Sequence, residues 1–357
     1  MRTLFFGLSS TPTQHSGIAM AKRRKSLYYF GWPSYVGGAD TKLVHLLPLL
    51  TSKFDVTVIP NDSEQIQQKV WTKYLDKLGI KYCLFDALPK RMSGIAFSMC
   101  NGAFFPDKIA HRVRERGLKV IWSSEMMWHH EGELDAVKQG VIDKVLYVSD
   151  LQKKYLAKGY GRIPSAMTGN FVNPRSFPFK ERKHETFAIG RLSRPDPAKF
   201  TEDFPVFYEC LELPDTKFRV MAWSEEMADK YRWHKFDSRW ELLKEAEEPQ
   251  VDFLHSLDLF VYPLGHQFRE SWGRSTVEAM LTGCIPLVQP GHHLDHLIKD
   301  GVNGFICNDF LEFQKRAHEL YYDYDMRREM SRRARSYTAK THCNAVEHQR
   351  VWEEALT

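Results

Sequence analysis

No run of apolar residues in this chain approaches the length needed to cross a bilayer, which excludes a helical membrane protein. The early apolar stretch Leu4-Phe5-Phe6-Gly7-Leu8 is too short for a signal-peptide core, and polar residues follow it at once. Cysteine is scarce. The six (Cys83, Cys100, Cys210, Cys284, Cys307 and Cys343) are scattered, with no Cys-x-x-Cys pair. That spacing argues against a disulfide framework or a zinc site and suits reduced thiols in a cytoplasmic protein. Excess charge is also small: 50 Lys and Arg against 45 Asp and Glu leave +5. A mild positive balance permits an acidic partner such as a diphosphate, a nucleic acid or an anionic membrane surface, and requires none. What is present is length: 357 residues suffice for two domains of ordinary size.

The most informative stretch runs from Arg269 to Val288. Before it, Leu257-Asp258-Leu259-Phe260-Val261-Tyr262-Pro263 reads as a buried strand. Ser271 and Gly273 open a helix and Gly283 ends it, and a second strand, Ile285 to Val288, comes directly after. Strand, helix and strand so closely joined form a βαβ unit, which requires a parallel sheet. The free N–H groups at the helix start, from Trp272 through Gly273 and Arg274 to Ser275 and Thr276, make a site for an anion such as a diphosphate. Glu270 stands just before the helix and Glu278 on its second turn, so the two carboxylates reach groups on opposite sides of that anion. Carboxylates accept hydrogen bonds from sugar hydroxyls, and a nucleotide-sugar carries hydroxyls on both sides of its diphosphate.

Elsewhere, strands and helices alternate. Strands are expected at Ser26–Gly31, Asp55–Pro60, Lys81–Phe85, Ile95–Cys100, Leu118–Trp122 and Lys144–Asp150, with helices after Asp40, over about 63–78, over 106–116 and over 151–158. A second set opens at Thr186 and includes Phe218–Trp223. The fold class is therefore α/β, with doubly wound sheets that take ligands at the carboxyl ends of their strands. Gly37-Gly38, after the first strand, lets the backbone approach a ligand at a helix start, although a plain tight turn explains the pair equally well. Arg327 to Lys340 is strongly basic and reads as a solvated helix face.

The central residues resemble the retaining GT-B glycosyltransferases, most closely their family 4. That family carries a Glu-x7-Glu element of the form E-S-F-G-x-x-x-x-E-A-M-A-x-G-x-P-V-V, matched here from Glu270 to Val288. Trp272 replaces the usual Phe, and Arg274 adds a cation where the family usually has an apolar residue. The resemblance implies a GT-B fold of two Rossmann-like domains facing across a cleft. It implies a donor nucleotide-sugar, UDP-sugar favoured, with Glu270 at the sugar and Glu278 at the ribose. It places Gly37 and Gly38 in a family-like glycine loop, and Arg191 and Lys199 on the diphosphate; Lys199 comes about three residues late, and Arg194 is a substitute. A His or acidic residue after the strand ending near Trp122 is implied near the reacting sugar, which makes His129 and His130 candidates with Glu125 behind them. Surface histidines on a loop are an equal explanation. The expected division is a leader over 1–24 outside the fold, an acceptor domain over 25–170, a linker over 171–185, a nucleotide-sugar domain over 186–340 and a last helix over 341–357 that crosses back onto the first domain.

The expected activity is hexosyl transfer to a hydroxyl with retention and without a metal or other cofactor. No Asp-x-Asp metal motif is read in the chain, and His293 and His296 lack further ligands nearby. Three readings stay open: an epimerase or phosphorylase on the same fold, a phage-type transferase for hydroxymethylated bases in DNA, and a non-catalytic sugar-nucleotide binder. The acceptor (glycan, small molecule or modified DNA) is not legible, and peripheral membrane contact stays open as well.

Overall fold

A computed structural model describes residues 24–182 and 186–357. The expected leader therefore lies outside the described residues up to position 23, as do three residues of the expected linker, 183–185. Two parallel sheets organise the chain. The first contains β1 (Lys25–Phe30), β2 (Phe54–Ile59), β3 (Lys81–Tyr82), β4 (Ile95–Met99), β5 (Lys119–Ser123), β6 (Lys144–Tyr147) and β7 (Ser165–Met167), in the order β3-β2-β1-β4-β5-β6-β7. The second contains β8 (Phe187–Leu192), β9 (Thr216–Met221), β10 (Trp240–Leu243), β11 (Leu259–Tyr262), β12 (Ile285–Val288) and β13 (Phe305–Ile306), in the order β10-β9-β8-β11-β12-β13. The central strands β4, β11 and β12 are buried along their whole length, as continuous apolar runs covered on both faces must be.

The helices that position the cleft are α1 (Gly38–Leu50), α2 (Asp150–Tyr160), α3 (Gln250–His255), α4 (Arg274–Thr282), α5 (Tyr324–Thr341) and α6 (Ala345–Ala355). On α1, Leu43, Leu46, Leu47 and Leu50 fall on one face and are all buried against the first sheet. On α4, Gly273 at φ +94° and Gly283 at φ +97° cap the two ends in the left-handed region. The helix expected over 63–78 is two helices, Ser63–Gln67 and Lys69–Lys77, because Gln68 turns to ψ 85° between them. The charged stretch after Ser224 holds a short helix, Glu225–Lys230, and the edge strand β10.

The basic segment is a solvated face in part: Arg328, Arg332, Arg333 and Lys340 are exposed, whereas Arg327 and Arg335 turn inward. Arg335 donates to the carbonyls of Phe177, Leu281 and Pro174, and Arg327 to those of Leu320 and Tyr321. Both spend their guanidinium groups on backbone acceptors: Arg335 ties α5 to the end of α4 and to the exit from the first domain, and Arg327 ties it to the end of the preceding helix, Phe310–Tyr322. Beyond α5, α6 packs on α1 and β7, and Trp352 is fully buried in the first domain's core. Each sheet reverses its winding at one place, between β1 and β4 and between β8 and β11. Crevices open at the carboxyl ends of strands where winding reverses, and here both crevices open onto the same space.

Candidate active site

That space is a cleft of about 890 Å³. From the first domain it is lined by the loop and first turn of α1 (Gly37, Gly38, Asp40), by His45, by Cys100 after β4, and by Glu125 and Met126 after β5. From the second domain come Ser193, Arg194 and Lys199 after β8, the Glu245–Gln250 segment, and Glu270 to Ser275 with Glu278. The structure thus brings together, in one cleft, Gly37, Gly38, Lys199, Glu270, Ser271, Trp272, Gly273, Arg274, Ser275 and Glu278.

Glu270 enters on the loop that leaves β11. Its Oε2 lies 3.5 Å from Lys199 Nζ and accepts from the Tyr262 hydroxyl at 3.2 Å. Its own N–H donates to His292 Nδ1 at 3.3 Å, which holds the loop in place. Burial alone would raise this carboxyl; Lys199, Tyr262 and His292 outweigh it and hold the group below the usual carboxylate range. The same pairing keeps Lys199 above its ordinary value against its own burial. Glu270 is therefore an ionised carboxylate, aimed into the cleft beside a cation.

Glu278, on the second turn of α4, is 2 % exposed. Its Oε2 accepts from the Gln250 side-chain amide, and its Oε1 lies 2.8 Å from Arg274 Nε without hydrogen-bond alignment. Burial pushes its carboxyl up, and Arg274 and Gln250 only partly oppose that. The two glutamates flank the start of α4, whose backbone N–H groups open toward the cleft, so an anion at that helix end has a carboxylate on each side.

Several expected residues sit elsewhere. Arg191 is fully buried and does not line the cleft: its guanidinium donates to the carbonyls of Pro263, at 2.7 Å, and Lys199, at 3.3 Å. Its carbon lies 3.9 Å from the Phe200 ring centre and 4.3 Å from that of Tyr262, so the cation is sandwiched behind the wall it was expected to face. Arg194, three residues later, lines the cleft, and its guanidinium has no hydrogen bond or ion pair to the described residues, which leaves it free to meet an anion. His129 and His130 turn away from the cleft. His129 packs its ring on Tyr160 of α2, where Gly159 leaves room for it, and His130 packs on Trp122 and faces the Ser124 carbonyl. The buried Glu133 accepts from the His130 N–H at 2.7 Å and pulls this end of the loop toward α2. Thr276 is buried and off the cleft lining.

The loop instead presents Glu125, held at φ +61°, a conformation a non-glycine residue adopts only under constraint. The constraint is visible: Lys42 Nζ lies 2.8 Å from its Oε1, and Ser123 Oγ donates to the same oxygen at 2.6 Å. Lys42 is itself fully buried and bonds the Gly169 carbonyl at 3.1 Å. A signal for Lys42 existed, since it stands one turn before Leu46 on the apolar stripe of α1. Beside this pair, burial pushes Asp40 up to about 6 and the Cys100 thiol up to about 12, so the thiol is inert at neutral pH. His45 is driven down to about 3 by burial and by Arg274 nearby, and its neutral Nδ1 accepts from the Asn173 N–H. The chain's one Asp-x-Asp, Asp323-Tyr324-Asp325, lies away from the cleft, and Asp323 caps α5 through the Met326 N–H.

Two Rossmann-like domains that share a cleft at their switch points, with two glutamates flanking a helix start, define a GT-B protein. Residues 215–337, most of the second domain, match the profile of the glycosyl transferases group 1. No curated protein matches the chain by sequence. Among solved structures, HepE of Anabaena in complex with UDP-glucose is similar at TM-score 0.71 and 12% identity, over 93% of this chain and 99% of that one. A glycosyltransferase of Rickettsia africae ESF-5 matches at TM-score 0.73 and 11% identity, over 94% and 100%. Sucrose-phosphate synthase of Thermosynechococcus elongatus matches at 0.64 and 12%, over 93% and 99%. At such identities the likeness establishes the GT-B fold.

Proposed function

We propose that this chain is a glycosyltransferase that moves a sugar from a nucleoside diphosphate sugar, UDP-sugar first among them, to a hydroxyl acceptor with retention of configuration. The observation that carries the reading is the pair Glu270 and Glu278, both in one cleft, on either side of the α4 start, with side chains only 12% and 3% exposed. In this reading Glu278 accepts from the ribose hydroxyls and Glu270 from the donor sugar. Lys199, Arg194 and the α4 N–H groups meet the leaving diphosphate. Those groups supply the positive charge that departure needs, which supports a reaction without a metal. Departure of the diphosphate frees a phosphate oxygen that takes the acceptor proton on the same face, and retention follows. The six cysteines are free thiols, which fits a reducing compartment such as the cytoplasm.

The arginines of α5 do not favour a DNA acceptor. Arg328, Arg332 and Arg333 pair with Asp325, Glu181 and Glu329, and Arg327 and Arg335 hold backbone carbonyls. The test is thermal stability against UDP-, GDP-, ADP- and TDP-sugars in EDTA, for wild type and Glu278→Ala. A ligand that binds only the folded state raises Tm. The expected result is a rise with one nucleotide, reduced in the variant; no rise with any of the four sinks the proposal.

A further inference from the structure

Arg274 is the first residue of α4, at the position where the resembling family usually carries an apolar side chain. Its side chain is only 11% exposed and reaches in two directions. Nη1 crosses to the other domain, donating to Asn170 Oδ1 at 3.0 Å and to the Phe171 carbonyl at 3.1 Å. Nε stays on its own helix, 2.8 Å from Glu278 Oε1. Asn170 and Phe171 lie just beyond β7, where the chain leaves the first domain. The residue before them, Gly169, gives its carbonyl to Lys42, the partner of Glu125. One guanidinium therefore touches the carboxylate assigned to the ribose and the exit segment of the first domain, and that segment is held from its other side by the ion pair at the first-domain wall of the cleft. The enclosed guanidinium holds the exit segment by two directed Nη1 bonds and faces Glu278 as an ion pair, links that an apolar side chain there would not make.

We propose that Arg274 is a positioning residue that ties Glu278 to the exit segment 168–173, so that nucleotide occupancy and the placement of the first domain are a single event. The inference rests on the donor reading, because it takes Glu278 as the nucleotide's contact. On that basis UDP held at Glu278 fixes Arg274, Arg274 fixes Asn170 and Phe171, and the first-domain half of the cleft is set before an acceptor arrives. A ligand can shift such an arrangement only by binding one state better, so the coupling must appear as protection at a distance from the nucleotide.

The test uses the full chain with UDP as the probe. Amide hydrogen exchange of a peptide spanning 168–173 is followed with and without saturating UDP, for wild type, Arg274→Leu, Arg274→Lys and Asn170→Ala, with UDP Kd from calorimetry used to set saturation in each. In wild type, UDP is expected to slow exchange there by about tenfold or more. In Arg274→Leu, saturated with UDP, the slowing is expected to vanish; Asn170→Ala loses most of it, and Arg274→Lys keeps a part. Full slowing in saturated Arg274→Leu overturns the proposal, and so does an Arg274→Leu chain that no longer binds UDP at all while Asn170→Ala behaves as wild type, since Arg274 is then only a donor ligand. A second arm needs no nucleotide. The Tm of the Arg274→Leu, Asn170→Ala double variant should be no lower than that of Arg274→Leu, and additive losses overturn the bridge. If wild type fails to bind UDP, the donor reading falls, and this second arm still decides whether the bridge exists.

Discussion

Asp40 is a cleft residue whose ionisation departs from habit at a readable pH. Its carboxyl has no hydrogen bond or ion pair to the described residues, and burial lifts it to about 6. The unfolded chain releases that proton near pH 4. Between those values the folded state holds more protons, so stability falls as pH rises through that window and stays reduced above it. Asp40→Asn removes the fall. Its Tm should exceed that of wild type at pH 7.5 by more than it does at pH 4.5; an equal difference at both would show that Asp40 titrates normally. The same residue scale explains which site residues were legible. Glu270 and Glu278 were, because their separation along the chain sets which side of the helix start each occupies. Arg191 was misplaced because its direction depends on Phe200 and Tyr262, distant side chains that close around the guanidinium. No local pattern announces such a sandwich.

Elements were more legible than side chains where glycine caps them. The α4 ends follow from Gly273 and Gly283, and the structure shows both in the left-handed conformation. Gly273 is doubly required, since a Cβ there would also run into the Leu294 side chain. Gly273→Ala should therefore cost roughly 2 kcal/mol in urea unfolding and weaken UDP binding with it. Gly38 is the contrast: it is the first residue of α1, and a Cβ there meets nothing within 4 Å. Gly38→Ala should change stability by less than about 0.5 kcal/mol while lowering UDP affinity, because the added methyl narrows the approach of a phosphate to that helix start. The loop after β5 was the least legible element. It carries Glu125, His129 and His130 close together, and which of them faces the cleft depends on Glu133 and on the space left by Gly159, each contributed by a helix later in the chain.

At the scale of the whole molecule, the alternation of strands and helices made the α/β plan readable, while the return of the last helix followed only from the resemblance to GT-B proteins. The return has an energetic weight. Trp352 is buried without exposure in the first domain's core, 5.6 Å from the Phe97 ring, with Lys42 Nζ 5.1 Å from its own ring centre. Trp352→Ala should cost about 3–5 kcal/mol and lower the unfolding transition of the first domain more than that of the second, as read by hydrogen exchange on β1 and β4. A first domain that unfolds no more readily than wild type would show that α6 is an ornament on its surface.

The placement of α6 also bears on how the chain is made. A ribosome delivers the first sheet early, yet the side chain that completes its core arrives only after the whole second domain. That domain has all its strands in hand before then and is free to close first. The first domain must wait, with the groove for Trp352 open, until α6 has left the exit tunnel. The core whose strands are synthesised first is therefore completed last, and a chain cut short before α6 lacks the piece that finishes its beginning.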